Sequence, residues 1–330
     1  MKNIYLKSIM ALALVFTFSS CETESNFEDS EPSISYIAVS NPNFSALEAA
    51  ATYGGLAGVL SNKNPNHSSG DYTVFAPNND AFARLGLNEN NLGVLQQAFL
   101  TNTLLYHTSN GNIMGSSLTD GASFGSAIGV NRRIIQRGSD TYINGSKILA
   151  TDINASNGTV HVIDKVMIAT GGDIVQSAIA LSTAKVFKQP ELTFLVEAVI
   201  YADLAGALTA SDGSPSFTVF APTDQAFKDL GTALGLTFTK PEDIRQLPKQ
   251  VVATVLLNHV IANGGKFTSE LNAGTLSPLG GDPLTLGAYN NGTLNVGGVG
   301  NGEPANMFIP DVQATNGVIH VIDKVLLPNL

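Results

Sequence analysis

The sequence has no tryptophan, a single cysteine and few charged residues, and each scarcity excludes a class of protein. One cysteine cannot form an internal disulfide framework or a zinc site built from several thiolates. Charged residues make up 13% of the 330 positions, too few for a long coiled coil or a charged disordered chain. The net charge of −10 predicts no nucleic-acid partner, because such proteins need a face rich in Lys and Arg.

Motifs for catalysis, metal binding and cofactor binding are also missing from the sequence. The five histidines are widely spread, with no HExxH motif and no pair at metal-ligand spacing. Neither a GxSxG motif nor a P-loop occurs, and the glycine-rich run at 297–302 lacks the strand–helix context of a dinucleotide site. We therefore predict no catalytic residue, no cofactor and no metal site, and expect that the protein is not an enzyme.

The N-terminus has the pattern of a bacterial export signal. Lys2 and Lys7 provide a positive start, residues 9–18 form a short apolar core, and two serines precede Cys21. The apolar run is too short for a membrane-spanning helix. A cysteine at this place resembles a lipobox, in which the thiol is lipidated and becomes the mature N-terminus; the alternative is an ordinary signal peptide with an incidental cysteine. We predict a signal peptide at 1–20 and membrane attachment through the lipid on Cys21 only.

An acidic tether is predicted at 21–33. Five acidic residues lie among polar neighbours there, a composition typical of a solvated linker. Acidic residues after a lipidated cysteine also resemble the export signal of some bacterial surface lipoproteins, and the plain linker interpretation is equally good. The expected location is the outer membrane or cell surface of a Gram-negative bacterium.

An internal repeat organises the rest of the chain. Three segments occur twice in the same order, namely TVFAP at 73–77 and 218–222, LLxH at 104–107 and 256–259, and NGxxHVIDKV at 157–166 and 316–325. We therefore expect two domains, copy one at 34–169 and copy two at 172–330, each large enough to bury its own core.

The hydrophobic periodicity changes within each copy from helical to alternating. Helical spacing predicts helices early in each copy, including 92–107 and 251–261. Short alternating runs predict strands later, at 141–143, 147–151, 283–286 and 293–296. Asn-Gly pairs at 157–158 and 316–317 predict two-residue turns before a closing strand. The predicted fold class is α+β.

The three repeated motifs together resemble the fasciclin domain. Its opening signature matches at 73–82 and 218–227, its Tyr-His element at Tyr106-His107, and its closing signature at 157–166 and 316–325. The resemblance implies two tandem fasciclin-like domains, each a β-wedge or sandwich packed with several helices. It also implies a secreted or surface-anchored adhesion or matrix protein without a common catalytic activity or cofactor. Copy two departs from the pattern at Asn258, where the tyrosine is lost.

Residues within the motifs are predicted to have structural roles. His107 and His259 fall on apolar helix faces, so we favour core histidines with hydrogen-bonded rings over display to a partner. An aspartate among valines of the closing strand should accept backbone N–H or hydroxyl groups. The full structural set is Pro77, Asp80, Pro222, Asp224, His161, Asp164, His259, His320 and Asp323.

Candidate partner-binding residues are assigned to copy one. They are Tyr106 and His107, from the resemblance, and Arg132, Arg133 and Arg137, the only basic cluster. Copy one (33–169) has 7 basic and 8 acidic residues, whereas copy two (172–330) has 8 and 14. The arginines could bind an acidic glycan or contact the acidic neighbouring copy, and the sequence does not separate these alternatives.

Two functional hypotheses follow. The first is an envelope-anchored protein for adhesion, binding an extracellular polysaccharide or a matrix or cell-surface protein. The second is a carrier with a small ligand at or between the domains, which a deep apolar pocket with convergent polar groups would favour.

Overall fold

A computed structural model describes residues 31–183, 191–209, 216–262 and 264–329. Both copies lie in one compact unit that begins at Glu31. The predicted signal peptide, Cys21 and the tether up to residue 30 lie outside the described residues. Within the described ranges, no helix is long and apolar enough to cross a membrane.

Copy one combines helices with a seven-stranded sheet. Its helices are α1 (Ile34–Ser40), α2 (Ser45–Tyr53), α3 (Asn79–Ala83) and α4 (Gln97–His107). Its strands are β1 (Tyr72–Pro77), β2 (Thr108–Asn110), β3 (Ser123–Gly125), β4 (Asn131–Arg137), β5 (Asp140–Ile143), β6 (Ser146–Ala155) and β7 (Gly158–Ile163), with β8 (Ile168–Ala169) following. The strand order is β2-β1-β7-β6-β5-β4-β3, and β1 and β7 are parallel.

Copy two repeats this arrangement. Its helices are α5 (Ile174–Thr183), α6 (Thr193–Tyr201), α7 (Ala205–Leu208), α8 (Asp224–Ala233) and α9 (Lys249–Leu257). Its strands are β9 (Phe217–Pro222), β10 (Val260–Ile261), β11 (Gly274–Leu276), β12 (Leu284–Leu286), β13 (Asn295–Gly298), β14 (Ala305–Ala314) and β15 (Gly317–Ile322). The order β10-β9-β15-β14-β13-β12-β11 matches copy one strand for strand. In addition, β8 of copy one pairs in parallel with β14, so the sheet of copy two includes a strand of copy one.

Each copy buries its opening strand on both faces. All six residues of β1 are buried, because the helices cover one face and the far strands of the sheet cover the other. On the helix side Val74 packs with Phe44 and Phe82. On the opposite side Phe75 packs with Ile134 and Ile163. Copy two has the same two clusters, which confirms the predicted mixed α+β fold with a wedge-like sheet.

Several predicted boundaries differ from the structure. The helix predicted at 92–107 begins as a 3-10 turn (Leu92–Val94) and restarts as α4, because Leu95 and Gln96 have extended backbone. The helix predicted at 251–261 ends at Leu257, after which the chain enters β10.

The turn before the closing strand is shifted by one residue from the prediction. Ala155 pairs with Gly158, so the two turn residues are 156 and 157. Gly158 itself lies in the strand with φ of +145°, and an added Cβ would lie 1.9 Å from the carbonyl oxygen of Tyr72. Glycine is needed there by the close approach of β1.

Candidate functional site

The paired histidines at the end of α4 and α9 are core residues. In both copies Nδ1 lies 2.7–2.8 Å from the carbonyl oxygen four residues earlier. In both copies Nε2 accepts a backbone N–H, from Met167 at 2.9 Å and from Leu326 at 2.8 Å. A ring that donates through Nδ1 and accepts through Nε2 is neutral. Burial lowers the pKa of both His107 and His259 to about 4, and the predicted packing of these rings is confirmed.

The histidines of the closing strands are held in the opposite tautomer. Nε2 of His161 and of His320 lies 2.8 and 2.9 Å from a carbonyl oxygen, and Nδ1 accepts a backbone N–H at 3.2 Å in each copy. Both rings are fully buried, and burial lowers the pKa of each. None of these four histidines has a ring nitrogen left for proton transfer or for a metal ion.

The signature aspartates hold backbone in place, as the sequence predicted for the closing strand. Asp164 accepts the N–H of Lys147 at 2.7 Å, and Asp323 accepts that of Asn306 at 2.7 Å. Both are half-buried at the end of the strand rather than within it. Each carboxylate therefore fixes the start of the preceding strand against the end of the closing strand.

The aspartates of the opening signature are not equivalent. Asp224 accepts the N–H of Phe194 at 3.0 Å and the hydroxyl of Thr193 at 2.7 Å, so it holds the start of α6. Its counterpart in copy one is Asn79, which accepts the N–H of Ala46 at 3.0 Å. Asp80 is exposed, and its carboxylate has no partner in the described residues, which corrects its predicted structural role. Pro77 and Pro222, predicted as structural residues, are the last residues of β1 and β9.

Arg132 lies inside copy one and not at its surface. Its side chain is 0% exposed and donates to the carbonyl oxygens of Tyr106 at 2.8 Å and Gly125 at 3.0 Å. The guanidinium stacks on Phe75 at 5.1 Å, and no carboxylate pairs with it in the described part of the chain. Burial lowers the pKa of Arg132 to about 10.

Arg133 and Arg137 contact copy two. Arg133 forms an ion pair with Glu270 and lies over the ring of Phe267 at 4.6 Å. Arg137 donates to the carbonyl oxygen of Leu271 at 2.8 Å and lies over the ring of Tyr289 at 4.2 Å. Of the two alternatives that the sequence left open, the structure shows contact with the acidic neighbouring copy.

Tyr106 also reaches copy two. Its ring is 0% exposed, and its hydroxyl donates to Oε1 of Gln313 and accepts a hydrogen bond from Nδ2 of Asn144 at 2.7 Å. We therefore revise the assignment of Tyr106, His107 and the three arginines as contacts for an external partner. Tyr106, His107 and Arg132 are buried and would have to leave the fold to reach one, whereas Arg133 and Arg137 are partly exposed but already bond to copy two.

A buried ion pair that the sequence analysis missed completes the contact between the copies. Nζ of Lys165 lies 2.6 Å from Oδ2 of Asp311, with side-chain exposures of 8% and 10%. Lys165 also donates to Thr268 Oγ1 at 3.1 Å and to the carbonyl oxygen of Gly292 at 2.9 Å. Burial alone would raise the pKa of Asp311, but the Lys165 ammonium offsets this and holds the pKa below its usual value.

The asparagine of the closing signature was predicted only as a turn residue. Oδ1 of Asn157 accepts the N–H of Ile34 at 2.9 Å, and Oδ1 of Asn316 accepts that of Ile174 at 2.9 Å. Each buried asparagine thus ties the first helix of its copy to the last turn. The repetition of Asn-Gly in both copies was the signal that could have indicated this role.

Comparison with known proteins identifies the family. A family model described as the fasciclin domain matches the chain twice, at residues 42–169 and 190–328. The chain belongs to the fasciclin family. Both matches contain the opening and closing signatures described above, and the predicted tandem arrangement of two fasciclin domains is confirmed.

Similar proteins occur in animals and bacteria. The chain is 31% identical over 274 residues to transforming growth factor-beta-induced protein ig-h3 of Oryctolagus cuniculus, covering 79% of this chain and 35% of the relative. It is 29% identical to human periostin, covering 79% of this chain and 29% of the relative. Protein sll1483 of a Synechocystis strain is 38% identical over 135 residues, covering 41% of this chain and 66% of the relative. The chain thus spans about a third of the animal relatives.

The solved structures that the chain matches include one from an insect. It is a FAS1 domain pair from the insect cell adhesion molecule Fasciclin I, with 17% sequence identity and a TM-score of 0.39. The match covers 89% of this chain and 95% of the insect chain.

The two fasciclin domains leave a cavity of about 480 Å³ between them. Copy one lines it with Phe82, Leu85 and Phe99, and copy two with Phe308 and Ile309. Arg84 and Glu191 are its charged lining residues. No group of His, Cys, Asp and Glu side chains in the described residues could hold a metal ion.

Proposed function

We propose that this protein is an envelope-anchored adhesion protein that binds an extracellular polysaccharide or a matrix or cell-surface protein. The observation that carries the proposal is the contact between the two fasciclin domains. Arg133, Arg137 and Lys165, all from copy one, bond to copy two, and β8 extends the sheet of copy two. A pair held in one orientation offers a single composite surface, and this lowers the entropy cost of engaging a large partner.

The predicted N-terminus supports the same proposal. The lipid on Cys21 would hold the mature chain in a membrane, and the acidic residues up to 33 would separate the domain pair from it. We place the protein at the outer membrane or cell surface of a Gram-negative bacterium, as an exported lipoprotein.

Two experiments test this function. Residues 31–330 are screened against immobilised polysaccharides and matrix proteins, and cells that express the full chain or Cys21→Ser are compared for attachment to the partner found. Adhesion predicts specific binding in the screen and loss of attachment when Cys21 is replaced. No binding to either class, or equal attachment by the two strains, would contradict the proposal.

The cavity between the domains favours the carrier as a second candidate. Its volume lies within the range of about 300–1,000 Å³ for small-ligand sites, and its apolar lining carries Arg84 and Glu191. A carrier should retain a small apolar ligand after purification, detectable by mass spectrometry of a solvent extract. Leu85→Trp should fill the cavity and abolish retention, whereas Leu234→Trp, at an exposed site in copy two, should not. An empty wild-type extract would reject the carrier.

A further inference from the structure

Copy one contains another cavity, of about 310 Å³, that is lined by copy one alone. Its apolar lining comes from aliphatic side chains, namely Leu56, Val59, Leu60, Leu105 and Ala127. Its polar lining comes from Asn66, Tyr72, Thr108 and Asn110. No charged side chain lines this cavity, which distinguishes it from the cavity between the domains.

Tyr72 is the unexplained residue of this cavity. The residue is 5% exposed, and its hydroxyl reaches the solvent and has no hydrogen-bond partner in the described residues. The same position of copy two is Phe217, which pairs with Gly317 as Tyr72 pairs with Gly158 and is 3% exposed. The fold therefore needs the ring but not the hydroxyl. The hydroxyl is thus free to bond a molecule in the cavity.

The polar lining is held in place by a buried asparagine. Asn64 is 2% exposed, and its Nδ2 donates to Oδ1 of Asn110 and to the carbonyl oxygen of Asp71, both at 2.9 Å. Its Oδ1 accepts the N–H of Asn66 at 2.9 Å. The backbone of Asn66 and the Oδ1 of Asn110 are thus held from inside. The side-chain amide of Asn66 and Nδ2 of Asn110 belong to exposed residues and make no hydrogen bond in the described residues, so both are open to a ligand.

The chemistry of the lining selects the ligand. Side-chain amides and a phenol each donate and accept, which suits hydroxyl groups that do the same. The aliphatic side chains can contact the apolar C–H groups of a sugar ring. A lining without charge gives no counterion for an anionic or cationic ligand. We propose that this cavity is a subsite for a neutral saccharide unit, with Tyr72 and Asn66 as its hydrogen-bonding residues.

The proposal rests on the proposed adhesion function and specifies which copy and which surface bind a polysaccharide. The test uses residues 31–330 and isothermal titration with neutral oligosaccharides of glucose, mannose, galactose and xylose, with heparin as the anionic comparison. The variants are Tyr72→Phe, which installs the residue that copy two has, and Asn66→Ala. The control is Asn43→Ala, because Asn43 is exposed, its side chain makes no hydrogen bond within the described residues, and it lies outside the cavity.

We expect at least one neutral oligosaccharide to bind, and each variant to lower the affinity by about three- to tenfold, the value of one hydrogen bond. Asn43→Ala should bind as the wild type does, and all variants should keep the wild-type melting temperature. Wild-type affinity in both variants would overturn this site while leaving the adhesion proposal intact. Binding of heparin alone, or of a matrix protein without any neutral saccharide, would overturn it in the same way. Failure of every probe, matrix proteins included, would reject both.

Discussion

At the residue scale, four histidines illustrate how strongly hydrogen bonding determines a side chain's chemistry. His107 and His259 are neutral because each donates to one carbonyl oxygen and accepts one backbone N–H. A second proton on either ring would have to lie where a backbone N–H already points. The lowered pKa of about 4 therefore has a cause in geometry as well as in burial.

The first prediction concerns the pH dependence of stability. Since the folded pKa of these rings is about 4 and the unfolded value is 6.5, the unfolded chain binds more protons between these values. The free energy of unfolding should therefore be fully present above pH 6.5 and fall as the pH drops towards 4, by about 3 kcal/mol for each ring. Urea titrations at pH 7, 5.5 and 4.5 measure this.

The matched variants are His107→Gln and His259→Gln. Each should be less stable than the wild type at pH 7 but lose less stability on acidification, because one titrating ring has been removed. Comparison with the wild type at each pH cancels the contribution of the carboxylates. If the free energy of unfolding falls with pH as steeply in both variants as in the wild type, other groups control the loss of stability in acid.

The second prediction concerns the buried ion pair of Lys165 and Asp311. Lys165→Ala should lower the free energy of unfolding by about 3–5 kcal/mol, because it leaves a buried carboxylate without its counterion. Lys324 occupies the same place in copy two and has no ion pair in the described residues, so Lys324→Ala is the control and should cost less than about 0.5 kcal/mol. Equal urea midpoints for the two variants would contradict a stabilising role of the Lys165–Asp311 ion pair.

Repetition in the sequence predicted which residues matter but not what they contact. The closing signature contains Lys165 and Lys324 in identical local sequence, yet only the first is buried in a neighbouring domain. Local pattern predicts a strand and its buried face. It cannot predict a partner 146 positions away, because that depends on how the two domains pack.

At the scale of elements, the opening signature joins a strand to two helices. After β1 or β9 the chain enters a helix whose first residues also hold the start of an earlier helix. The Asn78 and Thr223 caps of that following helix depend only on neighbouring residues in the sequence. Sequence analysis missed the second contact, which crosses 30 residues or more.

The third prediction tests that contact. Asp224→Ala should lower the free energy of unfolding by about 1–2 kcal/mol, because the N–H of Phe194 in the first turn of α6 and the hydroxyl of Thr193 lose their acceptor. Asp80→Ala is the matched control from the same signature in copy one, where the aspartate is exposed. The denaturation midpoint should move for the first variant only; a comparable loss for Asp80→Ala would restore the role that the sequence predicted for it.

The wrongly predicted ends of helices also have a local cause. The predicted helix at 251–261 includes the β-branched Val260 and Ile261, which pair with β9 instead. Apolar spacing alone does not distinguish a helix end from a short buried strand, because both bury the same side chains.

At the scale of the whole molecule, the contact between the domains accounts for part of the difference in their charges. Copy one supplies Arg133 and Lys165, and copy two supplies Glu270 and Asp311. A smaller apolar cluster that includes Tyr142 and Phe267 lies beside them. Part of the difference in net charge between the copies thus comes from residues that pair across this interface. Splitting the chain near residue 170 would expose the basic side on one fragment and the acidic side on the other.

The last prediction is that this interface couples the unfolding of the two domains. Arg133→Glu places two carboxylates together where an ion pair lies against the ring of Phe267, and it removes the donor to the carbonyl oxygen of Gly265 at 2.6 Å. The interaction between the domains should weaken by several kcal/mol, because like charges are in contact and a carbonyl loses its donor, while each core stays intact. Differential scanning calorimetry should therefore show one transition for the wild type and two for the variant. The double variant Arg133→Glu with Glu270→Arg returns the charge pair, though not the bond to Gly265, and should bring the two transitions closer together. A single transition in every variant would mean that β8 and the Lys165–Asp311 pair couple the domains without Arg133.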